Sequence, residues 1–152
     1  MKRPEGRPCG KSMRVLLDTN VLITAITGRA DPYTEEVAVI LQECAKGKIE
    51  GYIAFHSVSV IWYVLTKMLG GQETRNRLSA LCEILQVVSA SHERVKQAIG
   101  NIDFKDFEDC LVDQCAQSIE ANYIVSGNVK DFSASEVKAL TPYEFCKMMA
   151  TA

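Results

Sequence analysis

Polar side chains gather at three places in this 152-residue chain, each at the border of an apolar run. Asp18 directly follows Val15-Leu16-Leu17, with Thr19 and Asn20 next; Asp106, Asp109 and Asp113 open a helical pattern; Ser126, Gly127, Asn128 and Asp131 follow Tyr123-Ile124-Val125. The steps from 106 to 109 and from 109 to 113 are i+3 and i+4, which sets these aspartates along one side of a helix, at the edge of its apolar stripe. Like charges packed together are costly unless a cation neutralises them. Mg²⁺ and Mn²⁺ suit oxygen donors, keep several waters and are typically held by one or two carboxylates together with substrate phosphates. An ion held in this way lowers the pKa of a bound water, orients it and stabilises charge on a phosphodiester under attack.

Every one of these residues also has a plainer use. Asp18 and Asp106 fit as N-caps, and Glu108 and Asp109 as first-turn acids favoured by the helix dipole. Asp113 reads as a solvated helix position, Asn128 as a residue accepting left-handed geometry after Gly127, and Asp131 as a loop terminator. Trp62 and Tyr63 read as core, and His56 and His92 as structural, since neither belongs to a catalytic motif. The functional reading is favoured by coincidence, because an open α/β sheet would bring the three places together beyond the carboxyl ends of its strands.

The elements that would do this alternate along the chain. Val15 to Leu17 reads as a strand, followed by a helix through Val21, Leu22, Ala25 and Ile26 that Gly28 ends. Val37, Ile40, Leu41 and Cys44 keep helical spacing up to Gly47, and Tyr52 to Phe55 reads as strand. Ser57 is placed to cap a helix carrying Val58, Ile61, Trp62 and Leu65; with Val60, Tyr63 and Val64 it is apolar almost all round and expected to be well buried. Further helices are expected over 75–85, with Leu78, Leu81, Cys82 and Leu85 as its stripe, over 93–99 after Ser91, from Asp106, and from Pro142; further strands fall at 86–88, 123–125 and 137–140. Strands separated by helices predict a three-layer α/β/α sandwich around a central, mostly parallel sheet.

Residues 13–152 are expected to form one domain, preceded by a flexible basic arm at 1–12 carrying Lys2, Arg3, Arg7 and Lys11 among prolines and glycines. With 47% hydrophobic and 24% charged residues, the composition excludes a disordered chain, a collagen and a small cystine-stapled scaffold. Apolar runs such as 58–65 fall far short of the ~18 to 20 residues that span a bilayer. The N-terminus has no apolar signal core, so a cytoplasmic location is expected. Six scattered cysteines show no zinc spacing and are expected to be reduced fillers. A net charge of −2 lacks the basic excess of a dedicated nucleic-acid binder, so a polyanion would need a local positive patch. Dinucleotide and triphosphate loops are absent after the strands, and Asn20 stands where a haloacid-dehalogenase-type phosphatase would need its second aspartate.

Over nearly all of 13–152 the sequence resembles the PIN domain family, especially the VapC-like ribonuclease toxins. The resemblance is carried by Val15-Leu16-Leu17-Asp18-Thr19-Asn20-Val21-Leu22-Ile23, Asp106-Phe107-Glu108-Asp109-Cys110, residues 124–132 and Leu140-Thr141-Pro142-Tyr143-Glu144-Phe145, in that order. It implies an endonuclease of single-stranded RNA that uses Mg²⁺ or Mn²⁺ held by acidic residues, often dimeric and often inhibited by an antitoxin. Carried over by position, the first family acid matches Asp18, with Asn20 beside it, and the third matches Asp109, with Asp106 or Asp113 as assisting neighbours. The fourth falls at or near Asn128, with Asp131 as a substitute three residues on. The second, a glutamate inside the helix after the second strand, has no counterpart, because Ser59, Val60, Ile61 and Trp62 occupy that stretch. The implied roles are Asp18 and Asp109 as metal ligands, Asp106 or Asp131 as outer support, and Asn128 orienting water or substrate. The competing expectation is a degenerate PIN domain that binds RNA or a protein without cutting.

Overall fold

The computed structural model describes residues 12–28 and 31–151, so the expected basic arm lies outside the described residues apart from Ser12. The short apolar runs form five parallel strands: β1 (Arg14–Leu17), β2 (Glu50–Ala54), β3 (Gln86–Val88), β4 (Tyr123–Val125) and β5 (Ala139–Leu140), arranged in the order β3-β2-β1-β4-β5. The intervening stretches form α1 (Thr19–Thr27), α2 (Thr34–Ala45), α3 (Phe55–Leu69), α4 (Gly71–Ile84), α5 (His92–Gly100), α6 (Phe107–Ser118) and α7 (Pro142–Thr151).

The period-two alternation of a strand splits the core between two faces. Val15 and Leu17 of β1, Ile53 of β2 and Val125 of β4 point into one cluster, where α1, α2, α3, α4 and α7 supply Leu22, Ile40, Ile61, Leu81 and Phe145. Leu16, Ala54 and Ile124 point the other way, against Ala98 of α5 and Cys110, Val112 and Ala116 of α6. Helices therefore cover both faces, giving the three layers expected of a parallel sheet. In β2, Gly51 is fixed by packing: a Cβ there would lie 2.5 Å from Leu85 Cδ2 and 2.6 Å from Cys44 Sγ. Gly28 ends α1 with φ +64°, its N–H donating to the Thr24 carbonyl at 3.2 Å.

Several local expectations need correction. Phe55 belongs to α3 and not to the preceding strand, and the helix is capped at Ala54 without a side-chain bond; Ser57 lies inside the first turn, fully buried. Burial of α3 is one-sided: Ile61 and Leu65 are buried, whereas Tyr63 is 64% exposed, with the Lys67 ammonium over its ring. Cys82 is exposed, because α4 buries Thr74 and Leu81 instead. The last strand is only Ala139–Leu140. Burial holds the Cys44 thiol up at about 12 and that of Cys115 at about 11, which suits fillers and not nucleophiles. Among the described residues no helix is long and apolar enough to cross a membrane.

Candidate active site

The strand order reverses at β1: β2 and β3 lie on one side, β4 and β5 on the other. Such a switch point opens a crevice beyond the carboxyl ends of the two strands that flank it. Asp18 is the first residue beyond β1, and its N–H donates to the Val125 carbonyl at 2.9 Å, so the ends of β1 and β4 are tied together. Its carboxylate is buried and held at both oxygens. Oδ1 accepts the Thr19 N–H at 2.8 Å, and Oδ2 accepts the Ser126 hydroxyl at 2.8 Å. Ser126 is fully buried just beyond β4, and its Oγ in turn accepts the Asn128 N–H at 3.0 Å. Asp18 is thus both the N-cap of α1 and the buried end of a hydrogen-bonded relay from the β4 loop. Burial pushes its carboxyl above the usual range, against the lowering effect of the Ser126 and Thr19 hydrogen bonds; the charges of Glu108 and Asp131 push the same way as burial.

Asp109, in the first turn of α6, is lifted to about 7 by burial and then by the charges of Asp18, Asp106, Asp131 and Glu108. Carboxylates from the end of β1, the start of α6 and the turn at Val129–Phe132 therefore share one electrostatic neighbourhood. Asp106 caps α6, its Oδ1 accepting the Glu108 N–H at 2.8 Å. Asp131 is exposed, and its N–H donates to the Asn128 carbonyl at 3.0 Å. Asn20 and Asn128 are exposed at the rim; Asn128 has φ −122°, so the turn makes no demand for left-handed geometry there.

Asp113 is placed elsewhere, neither solvated nor in the crevice. It is 2% exposed and accepts the N–H groups of Glu136 at 3.2 Å and Val137 at 3.1 Å and the Gln117 amide at 2.9 Å. Its spacing from Asp109 is helical, but one helical turn carries it from the crevice to the packing beneath the approach to β5.

Three residues not singled out from the sequence complete the crevice. The Thr19 hydroxyl lies 3.3 Å from Glu108 Oε1 and 2.7 Å from Ser57 Oγ, and with one proton to give and two lone pairs it bridges α1, α6 and α3. Glu108 thereby brings a carboxylate to the side of the site where α3 has Ser59, Val60, Ile61 and Trp62, of which Ile61 is fully buried. His56, at the start of α3, sits against the Glu108 main chain; burial lowers its pKa, and its Nε2 is buried without a partner. Glu108 had no mark in the sequence that set it apart from an ordinary first-turn acid. Ser126 was visible only as a polar residue after a strand.

Hard oxygen donors and mutually repelling carboxylates fit a divalent cation, which would relieve the repulsion that raises Asp109. Among the described residues no three acidic, histidine or cysteine side chains converge tightly enough to form a closed cage. If a divalent ion binds here, Asp18 and Asp109 would be the carboxylates to hold it, with water and a phosphate completing the shell.

The profile of the PIN domain family matches residues 14–130 of this parallel α/β/α sandwich. The chain belongs to the PIN domain family. It is 26% identical over 144 residues to Ribonuclease VapC1 of Aquifex aeolicus, covering 92% of this chain and 98% of the relative. Among solved structures it shares its fold with VapBC2 from Rickettsia felis, bound to a DNA fragment of its promoter (TM-score 0.67, 18% identity, 85% of this chain and 98% of that one). It is likewise similar to DNA-bound VapBC from Salmonella typhimurium (TM-score 0.68, 15% identity, 86% and 98%).

Proposed function

We propose that this protein is a divalent-cation-dependent endoribonuclease acting on single-stranded RNA, and the toxin of a toxin–antitoxin pair. The observation that carries the reading is that Asp18 and Asp109, from separate parts of the chain, serve one crevice: the Asp18 charge helps to raise Asp109, and Glu108 and Asp131 help to raise both. A Mg²⁺ or Mn²⁺ ion held by these two carboxylates would supply a polarised water and positive charge beside the scissile phosphate. Ser126 and the Thr19 N–H fix the orientation of Asp18, so that its oxygens need no reorganisation when substrate arrives. In the metal-free site Asp109 keeps its proton up to about pH 7, and an ion bound there would displace it. Asn128 orients the water or the phosphate from the rim, with Asn20, Asp106 and Asp131 in outer support.

Support for an antitoxin partner comes from a neighbour in the fold that is a toxin–antitoxin complex, from Klebsiella pneumoniae. A homodimer and a cytoplasmic location belong to the same reading. The deciding experiment is Mn²⁺ titration of RNA cleavage by the purified protein. Cleavage by the wild type that Asp18→Asn and Asp109→Asn each reduce at least 100-fold is expected. RNA left intact, with metal binding and growth inhibition indifferent to both substitutions, would refute it.

A second reading is a PIN domain that binds RNA or a partner without cutting. It is favoured by the apolar stretch Val60-Ile61-Trp62 on α3 and by the absence, among the described residues, of a closed cage of ligands. Metal-dependent turnover lost in Asp109→Asn rules it out.

A further inference from the structure

Beside the acidic crevice, and sharing Asn20 and Asn128 with its rim, lies a second concavity whose remaining lining has no part in the proposed cleavage. It is a pocket of about 350 Å³ between α1, the turn entering α2 and the loop after β4. This is the lower end of the range, roughly 300–1,000 Å³, that small-ligand sites occupy, enough for one nucleotide and too little for a folded segment of RNA. Val21 and Val37, both buried, give it an apolar lining together with Tyr33, which is half-buried and packs in part against the core. Gly127 lies beside the ring: a Cβ there would sit 3.9 Å from Tyr33 Cε2, in ordinary contact, so a methyl would fit and a longer side chain would take up pocket space next to Tyr33. Gly127 is not among the glycines at positive φ, so backbone conformation does not require it.

The polar lining has a distinct character. Asn20 and Asn128 stand at the mouth, and among the described residues neither amide has a hydrogen-bond partner. Each amide offers both donors and an acceptor, the complement of a nucleobase edge. Asp31 is tied down by the Thr24 hydroxyl at 3.3 Å and the Tyr33 N–H at 2.8 Å, which fixes the turn that presents Tyr33. Its charge, with no lysine or arginine lining the pocket among the described residues, repels a phosphate and admits a heterocycle. Unpaired RNA is read by splaying bases onto aromatic faces and bonding their edges.

We propose that this pocket binds one unstacked base of the RNA strand adjacent to the scissile phosphate, with Tyr33 as its stacking face and the Asn20 and Asn128 amides reading its edge. Position follows from the chain: Asn20 is two residues from Asp18, and Asn128 is bonded through Ser126 to the same carboxylate. A base seated here places its own phosphate at the crevice. The inference rests on the ribonuclease reading for its substrate class and adds to it a determinant of where the strand is cut.

The test compares wild type with Tyr33→Phe, Tyr33→Leu and Gly127→Leu in the full chain. Affinity for labelled single-stranded RNA hexamers is measured by fluorescence anisotropy with divalent cations chelated, and binding of the four ribonucleoside monophosphates by titration. Tyr33→Leu, which keeps apolar volume but removes the flat face, is expected to weaken hexamer binding roughly 5- to 150-fold, the range of one base stack. Gly127→Leu, which fills the pocket from beside the ring, has the same expected effect, and Tyr33→Phe stays within about twofold of wild type. Melting temperatures accompany each variant; if Tyr33→Leu is destabilised, Gly127→Leu decides alone.

Unchanged hexamer affinity in the pocket variants overturns the proposal, as does a wild type that binds neither hexamers nor any mononucleotide; the latter result would mark a pocket built for a protein side chain. The two readings separate in the cleavage arm. Wild-type cutting with Mn²⁺ at sites that Tyr33→Leu does not redistribute sinks the base pocket and leaves the nuclease standing. Tyr33-dependent binding without any cutting supports the pocket and sinks the nuclease.

Discussion

Asp109→Asn offers a way to weigh the site without substrate. In the folded protein the Asp109 carboxyl titrates at about 7, against 3.8 when unhindered, with burial as the larger cause and four neighbouring carboxylates adding to it. The folded state therefore binds more protons than the unfolded chain between these two values. Stability associated with Asp109 is fully present below about pH 4 and is lost as pH rises through about 7. At ~1.4 kcal/mol per tenfold change, a rise of this size corresponds to ~4 kcal/mol for a fully insulated group. Asp109 is only partly buried, and solvent screening brings the expectation to about 1 to 2 kcal/mol. Urea unfolding in chelator should thus show Asp109→Asn to be more stable than wild type by about 1 to 2 kcal/mol at pH 8 and nearly equal to it at pH 4. Saturating Mn²⁺ should reverse the order, since ~100-fold excess over the dissociation constant adds about 2.7 kcal/mol to a protein that binds it. Equal pH slopes for the two proteins in chelator, with Mn²⁺ stabilising both alike, would show that Asp109 faces no cluster and holds no ion.

Ser126→Ala should destabilise the fold by about 1.5 to 3 kcal/mol, because it strips a buried carboxylate and the Asn128 N–H of a common partner. It should also weaken Mn²⁺ binding more at pH 6 than at pH 8, as Asp18 becomes still harder to ionise; calorimetric titration at the two values checks both. Glu108→Gln retains an oxygen for Thr19 but removes a charge, and should lower Mn²⁺ affinity roughly 10-fold while moving the NMR titration of Asp109 downward. Asp113→Ala should cost about 2 to 3 kcal/mol in urea unfolding by leaving the Glu136 and Val137 N–H groups unpaired, yet leave cleavage per folded molecule unchanged. Gly51→Ala should destabilise by about 1 to 3 kcal/mol, since its new methyl overlaps Leu85 and Cys44.

The layered fold was legible because strand and helix periods alternate cleanly and each is set by short-range chemistry. Val15 to Leu17 cannot be an amphipathic helix, and α6 shows its stripe in Leu111, Val112, Cys115 and Ala116. Part of the crevice was legible for the same reason: Asp18 and Asp131 lie beyond β1 and β4, whose direction the parallel sheet fixes, whereas Asp109 was marked only by its place at the start of α6. What failed was rotation. Asp113 has the right spacing from Asp109, but which side of α6 meets β5 and which meets open space depends on helix packing that spacing does not contain. Tyr63 is the same case on α3, where apolar residues all round concealed which stripe the sheet would cover. Glu108 escaped because its role depends on Thr19 and Ser57, which lie far from it along the chain.

The sheet ends in β3 and β5, three and two residues long. So little unpaired backbone at either rim gives another chain almost nothing to extend in register. Short rims of this kind disfavour growth by strand addition along the described sheet, and leave its helical surfaces as the larger area on which side-chain shape and charge can select a partner. A protein of this build can accumulate beside copies of itself without templating a fibre.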